Sequence, residues 1–209
     1  DVLVEMARAI NTDLDIRTFP QGVNESNIES FLDGVDVYVD GIDYFAFDAR
    51  RATYAACARK GIAATVAVPV GMGASAMTFL PGGMTFDDYF GMAGHPELEQ
   101  AIRFLVGISP AMLQRTYVAD PSTVNLAQRR GPSTPMACQL CSGIAATEAV
   151  KILLGRGEII AAPHGFHFDA YRNKYVKTWR PGGNRNPIQR LMLSIIRRQL
   201  KTMNPAGNT

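Results

Sequence analysis

Residues 35–43 read VDVYVDGID, and residues 62–70 read IAATVAVPV. Residues 35–42 are an apolar-rich strand, with two carboxylates, Asp40 and Asp43, at and just past its end. The second stretch is apolar on both faces, as a strand buried in a parallel sheet is. Between them, residues 48–60 (DARRATYAACARK) predict an alanine-rich helix stopped by Gly61. Strand, helix and strand in that order make a βαβ unit. The expected fold is α/β: a Rossmann-like, mostly parallel sheet flanked by helices.

Working outward, residues 14–19 alternate apolar and charged positions and predict a further strand, stopped by Pro20. Asn24 or Ser26 is placed to cap a short helix running to Leu32, with Gly34 beyond it. Residues 1–11 carry Val2, Met6, Ala9 and Ile10 at helical spacing. Downstream, residues 74–80 predict a strand reached across a turn at 71–73, and residues 97–106 a helix. The mixed stretch 81–135 is expected to act as a mobile crossing segment around its one helix, with fewest apolar anchors over 117–134. Residues 136–154 predict the longest helix, ended by Gly155. Residues 166–179 predict two strands turning near Arg172 and Asn173, and 187–203 a last helix. The expected organisation is a body over 1–170 and a basic extension over 171–209.

Of 209 residues, 47% are hydrophobic and 19% charged, which excludes a wholly disordered chain. No run approaches 18 uncharged apolar residues, so no membrane span is expected. Asp1-Val2-Leu3-Val4-Glu5 lacks the basic start of a signal peptide. Three cysteines cannot form a secreted disulfide framework, and the single CxxC, Cys138 and Cys141, supplies half of a structural zinc site. Structural zinc is therefore not expected, and a reducing, cytoplasmic compartment is. The net charge of +2 divides into −7 over residues 1–170 and +9 over 171–209. Such an extension suits nucleic acid, an anionic membrane or an acidic partner. The simpler expectation is that it packs on the acidic body of this chain or of a second copy. Nucleic acid is not an expected partner.

Asp40 and Asp43 stand just outside the carboxyl end of a parallel strand, where open α/β sheets bind ligands. A carboxylate there can hold Mg²⁺ against nucleotide phosphates, since Mg²⁺ takes one or two oxygen ligands from protein. The same two residues can equally cap the next helix or bond loop amides.

The order of short motifs around this point resembles the ThiF/MoeB/HesA family of ubiquitin-activating-type enzymes. It runs through Ile10-Asn11, residues 36–43 (DVYVDGID), Arg50, Ala56-Cys57, Gly61-Ile62, Val68-Pro69-Val70 and Phe79-Leu80-Pro81. It resumes in residues 143–155 (GIAATEAVKILLG), and together the matches span about 10–170. The resemblance implies that ATP and Mg²⁺ activate the C-terminal carboxylate of a ubiquitin-like protein or peptide by adenylylation, in a homodimer. It implies that Asp43 is the metal- and ATP-associated acid, Asp40 its partner at the strand end, and Arg50 the arginine opening the next helix. Asp43 and Arg50 are thus the expected catalytic residues, and Asp40 and Asp43 the expected cofactor-binding ones.

The chain departs from the family pattern in places. Ile42-Asp43-Tyr44 replaces Thr-Asp-Asn, Asn11-Thr12 replaces Asn-Pro, and Arg50 follows Asp43 by a longer loop. The family's opening strand, its GxGxxG turn and the phosphate-binding arginine and lysine have no counterpart after Asp1. The chain is therefore expected to be N-terminally incomplete relative to the family. Gly71-Met72-Gly73 predicts a turn, not a phosphate loop. Cys57 is expected to be a buried thiol. Cys138 and Cys141, near a helix N-terminus that lowers thiol pKa, are candidates for a redox or sulfur-accepting role. His164 and His167 alternate with Phe166 and Phe168 on a strand and are expected to be structural, and His95 a loop residue. Met72, Met77, Met84 and Met92 fit either a peptide-binding surface or the core. The alternative to an enzyme is a non-catalytic fold of the same type that captures a peptide or partner. A nicotinamide or flavin enzyme lacks its fingerprint here.

Overall fold

A computed structural model describes residues 2–118, 129 and 133–203. Its elements are α1 (Val2–Ile10), α2 (Ile28–Phe31), β1 (Val37–Asp40), α3 (Phe47–Lys60), β2 (Ala63–Val70) and β3 (Gly73–Phe79). They continue with α4 (Phe86–Phe90), α5 (Glu97–Ile108), α6 (Pro135–Leu154), β4 (His164–Asp169), β5 (Lys174–Trp179) and α7 (Pro187–Met203). The strands form one sheet in the order β1-β2-β3-β4-β5.

The α/β architecture follows the expectation, with one correction. Among the described strands only β1 and β2 run parallel, with Val37 opposite Ala63 and Asp40 opposite Val66. β2–β3, β3–β4 and β4–β5 are antiparallel. For the two hairpins, β2–β3 and β4–β5, the cause is connection length. Gly71 and Met72 alone join β2 to β3, and so short a link makes a hairpin, whereas parallel neighbours need a crossover of a dozen or more residues. α3 supplies that crossover between β1 and β2. Gly61 ends it in the left-handed region at φ 71°, which a glycine adopts without steric penalty.

The pleat assigns the layers. Ala64, Val66, Met77 and Phe79 join a core built with Tyr54, Phe86, Phe90 and Phe104 from α3, α4 and α5. Tyr54 stacks on Phe86 at a ring separation of 4.2 Å. α6 packs on β1, β2 and β3, and its buried Ala137, Cys141 and Ala145 lie outside that cluster, so it covers the other face. Thr134 caps α6 by accepting from the Ala137 amide, and Pro135 occupies its first turn. By length and composition alone α6 would pass for a membrane span. Its place on the sheet and its buried Glu148 make it a layer of the fold.

Several expectations are corrected. Residues 14–19 form no strand: they hold no regular structure and are mostly exposed, without a β neighbour. The short helix begins at Ile28, because Asn24 and Asn27 spend their side chains on the loop before it. Asn27 Oδ1 accepts from the Asn24 amide, and Asn24 Oδ1 from the Ser26 amide. Residues 81–118 carry two helices and a 3-10 turn (Leu113–Thr116) rather than a loose crossing. Of the expected crossing segment, residues 119–128 and 130–132 lie outside the described residues. The boundary drawn at 170 falls in the turn between β4 and β5. The basic extension meets its own body: Arg197 pairs with Glu99 of α5, and Lys177 with Glu158. His164 is exposed and His167 fully buried, since residues three apart on a strand face opposite ways. Met77 and Met92 fill the core.

Candidate active site

β1 ends at Asp40, and the next six residues wrap back before α3. Asp40 and Arg50, expected to meet ligand, meet each other. Arg50 Nε donates to Asp40 Oδ2 at 2.8 Å, and the side chains are 3% and 0% exposed. Asp40 Oδ1 also accepts from the Ile42 amide at 3.0 Å. Arg50 donates onward to the carbonyls of Tyr44 and Ile42, and its guanidinium lies 4.8 Å above the ring of Phe104. A guanidinium bonded to one carboxylate and two carbonyls has its charge balanced and three of its five donors engaged. In this arrangement both residues hold the loop that follows β1.

What they position is Asp43. It is exposed, and its Oδ1 accepts from the Phe45 amide at 3.0 Å in a turn of the kind Asp favours. The longer loop toward α3 is held by aromatic side chains. Tyr44 packs edge-on to Phe45, Phe47 and Phe104, and its hydroxyl donates to the Ala101 carbonyl at 2.9 Å. Burial pushes the Tyr44 hydroxyl well above the ordinary range, so it stays a neutral donor. Near Asp43 lies Arg129, which pairs with Glu97 at 2.7 Å and feels the Asp43 charge. No spacing rule links Arg129 or Glu97 to the strand end.

Among the described residues no three His, Cys, Asp or Glu side chains converge on a metal position. Asp43 offers a single outward carboxylate. That donor set fits an Mg²⁺ already carried by phosphates, which needs few protein ligands, and does not fit a protein-built cage.

The expected thiol chemistry meets a physical obstacle at Cys141. It faces the sheet, and burial, with Cys138 adding to it, pushes its thiol up to about 12. Desolvation there outweighs the helix dipole. Cys138 is exposed, with Sγ 3.9 Å from the Ser133 hydroxyl. Cys57 is buried as expected, its thiol pushed up to about 11 by burial and then by Asp40.

Fold and strand-end loop together define a Rossmann-like α/β protein with an exposed carboxylate, Asp43, past the tip of a parallel strand. The chain belongs to the ThiF family, whose model matches residues 1–190. Among solved structures it resembles Escherichia coli MccB with ATP at a TM-score of 0.56 and 12% identity, over 85% of this chain and 46% of that one. MccB in complex with N-formylated MccA, described as the microcin C7 biosynthetic enzyme, gives 0.56 and 12%, over 90% and 51%. PaaA gives 0.53 and 15%, over 84% and 53%. The chain thus spans about half the length of these structures. No curated protein sequence matches it.

Proposed function

We propose that this chain is part of an ATP-dependent adenylyltransferase that activates the terminal carboxylate of a peptide or ubiquitin-like protein. The observation that carries the reading is Asp43, an outward carboxylate at the tip of β1 on a loop fixed from behind by a buried ion pair. Family membership and the fold shared with MccB, whose structures include ATP and MccA, support it.

A carboxylate is a poor electrophile until AMP becomes its leaving group. Attack of the carboxylate oxygen on the α-phosphorus forms the acyl–phosphate bond and breaks the bond to pyrophosphate. Magnesium bound with ATP would supply neutralisation of the departing charge, and Asp43 is the residue that would hold it. The role of Asp43 is to hold that ion and fix the phosphates. Arg50 and Asp40 keep the loop from relaxing, so that little reorganisation is needed at the moment of reaction. The enzyme acts as a homodimer in the cytoplasm. α1 supports pairing, since Val2, Leu3, Met6 and Ile10 on this helix are each more than half exposed. The free cysteines suit a reducing compartment.

The experiment is ATP–pyrophosphate exchange by the full-length protein with peptides ending in glycine. Exchange that needs both peptide and Mg²⁺ supports the reading. No exchange with any such peptide, alongside retained peptide binding, favours the non-catalytic capture reading.

A further inference from the structure

α5, α7 and the 3-10 turn Gly183–Arg185 enclose a cleft of about 750 Å³. Arg190, Ser194 and Arg197 stand at helical spacing on one face of α7, and Arg103 of α5 and Arg185 of the turn complete the polar wall. Asn184 fixes the turn: it is 3% exposed and donates to the carbonyls of Phe90 and Arg103 at 2.8 Å each. Arg185 therefore starts from a rigid base beside α5. Leu193, buried, and Leu191, exposed, give the cleft an apolar side.

The charge in this cleft is unbalanced. Glu99 is the one carboxylate that meets these arginines among the described residues. Its Oε1 accepts from Arg103 Nε at 2.7 Å and from Arg197, and its Oε2 accepts from Arg197 Nε at 3.0 Å. One carboxylate thus faces four guanidinium groups. Arg185 and Arg190 are exposed, and their side chains make no hydrogen bond or ion pair among the described residues. The Ser194 hydroxyl is unbonded there too.

Guanidinium groups gathered around one concavity repel one another and concentrate a positive field. The free groups all carry donors, so their complement is a ligand rich in acceptors. Guanidinium forks match the oxygens of carboxylates and phosphates two at a time. A phosphate monoester sets three acceptor oxygens and close to two charges on one atom, where a carboxylate offers two oxygens and one charge. The monoester is the better match to several converging arginines. The cleft is also far larger than a bare ion needs, and it lies in the size range of small-molecule sites.

We infer that this cleft binds a small organic phosphate monoester, its phosphate held by Arg185, Arg190 and the Ser194 hydroxyl and its organic part lying against Leu191 and Leu193. Asp43 takes no part, so the inference is independent of the adenylation reading.

The test titrates phenyl phosphate into the full chain in about 0.15 M salt, without ATP, peptide or Mg²⁺, while the arginine Nε–H resonances are followed. Saturable shifts are expected. Arg185→Gln and Arg190→Gln alter exposed side chains without partners among the described residues, so both should keep the fold. Each should weaken binding about tenfold, the worth of one charge-assisted hydrogen bond. Arg198→Gln removes the same charge from an exposed position outside the cleft and should change affinity less than about twofold, because salt screens it. Equal losses in all three variants would reveal general attraction by a basic surface and overturn the inference. So would shifts that fail to saturate below about 10 mM. Inorganic phosphate binding as tightly as phenyl phosphate would overturn the ester. A triglutamate peptide binding more tightly would assign the cleft to an acidic protein segment instead.

Discussion

Arg50 Nε lies 2.8 Å from Asp40 Oδ2, and water reaches almost none of either side chain. One charge of such a pair cannot be removed without stranding the other. Arg50→Ala should therefore cost about 3–5 kcal/mol, read as a lower urea midpoint. The double variant Asp40→Asn with Arg50→Met removes both charges and should recover part of that loss. Arg50→Lys should not, because a lysine cannot reach Asp40 and two carbonyls at once. A single-variant loss below 1 kcal/mol would contradict the buried clamp.

The pair also separates two roles at the strand tip. Asp43→Asn keeps the side-chain oxygen that accepts from Phe45 and loses the charge. Its urea midpoint should match the parent's, within the roughly 0.5 kcal/mol typical of surface changes. Pyrophosphate exchange should fall on the order of 10²–10³-fold, the usual loss when a transition-state electrostatic contact is removed. Exchange that survives in Asp43→Asn would remove Asp43 from the phosphates.

How far the sequence revealed this arrangement depends on the range of the interaction. α3 and α6 were legible at their ends because Gly61 and Gly155 announce left-handed caps, and both take them, at φ 71° and 58°. The strands at 37–40 and 63–70 were legible from their apolar character. The reversal into β3 was written in the two-residue turn at Gly71 and Met72, although the βαβ pattern before it argued for more parallel pairing. Residues 14–19 alternate like a strand yet pair with no strand among the described residues. The family resemblance singled out Arg50 near the strand end, but the direction of its guanidinium is set by Asp40, Phe104 and the carbonyls of Ile42 and Tyr44, which only the folded chain brings together. The pairing of Arg129 depends on a tertiary contact and leaves no local signature.

That two-residue turn is also a point of close packing. Gly71 has φ 63°, and a Cβ there would overlap the Tyr117 hydroxyl and come within 2.7 Å of Gln114 Cβ. The same hydroxyl accepts from the Met72 amide at 2.9 Å and donates to the buried Asp169 carboxylate at 2.6 Å. Thr134, on the far side of the crossing segment, donates to the Gly71 carbonyl at 3.1 Å. Gly71→Ala should be destabilising by about 1–3 kcal/mol, from left-handed strain together with the displaced tyrosine. Tyr117→Phe, which removes only the hydroxyl bonds, should cost about 1–3 kcal/mol by leaving Asp169 short of a donor. Thermal unfolding of both variants is the check. An unchanged transition in Gly71→Ala would show that the contact relaxes freely.

His167 should make stability depend on pH near neutrality. Its ring is fully buried on β4, with Nδ1 3.4 Å from the Ser109 hydroxyl and Nε2 without a partner. Burial lowers its pKa below the ordinary 6.5, against a smaller opposing pull from Asp169. The unfolded chain takes up a proton as pH falls through about 6.5, and the native ring refuses it until a lower pH. The unfolded state therefore binds more protons in that window, and stability must fall as pH falls. One proton gives a slope of at most about 1.4 kcal/mol per pH unit. Above pH 7.5 both states hold a neutral ring and the contribution is flat. Urea midpoints measured from pH 7.5 to 5.5 should decline in the parent chain. They should decline less in His167→Asn, which fills part of the same space without a titrating ring. Parallel declines in the two proteins would mean that other groups carry the pH dependence and that the native ring accepts its proton as readily as the unfolded one.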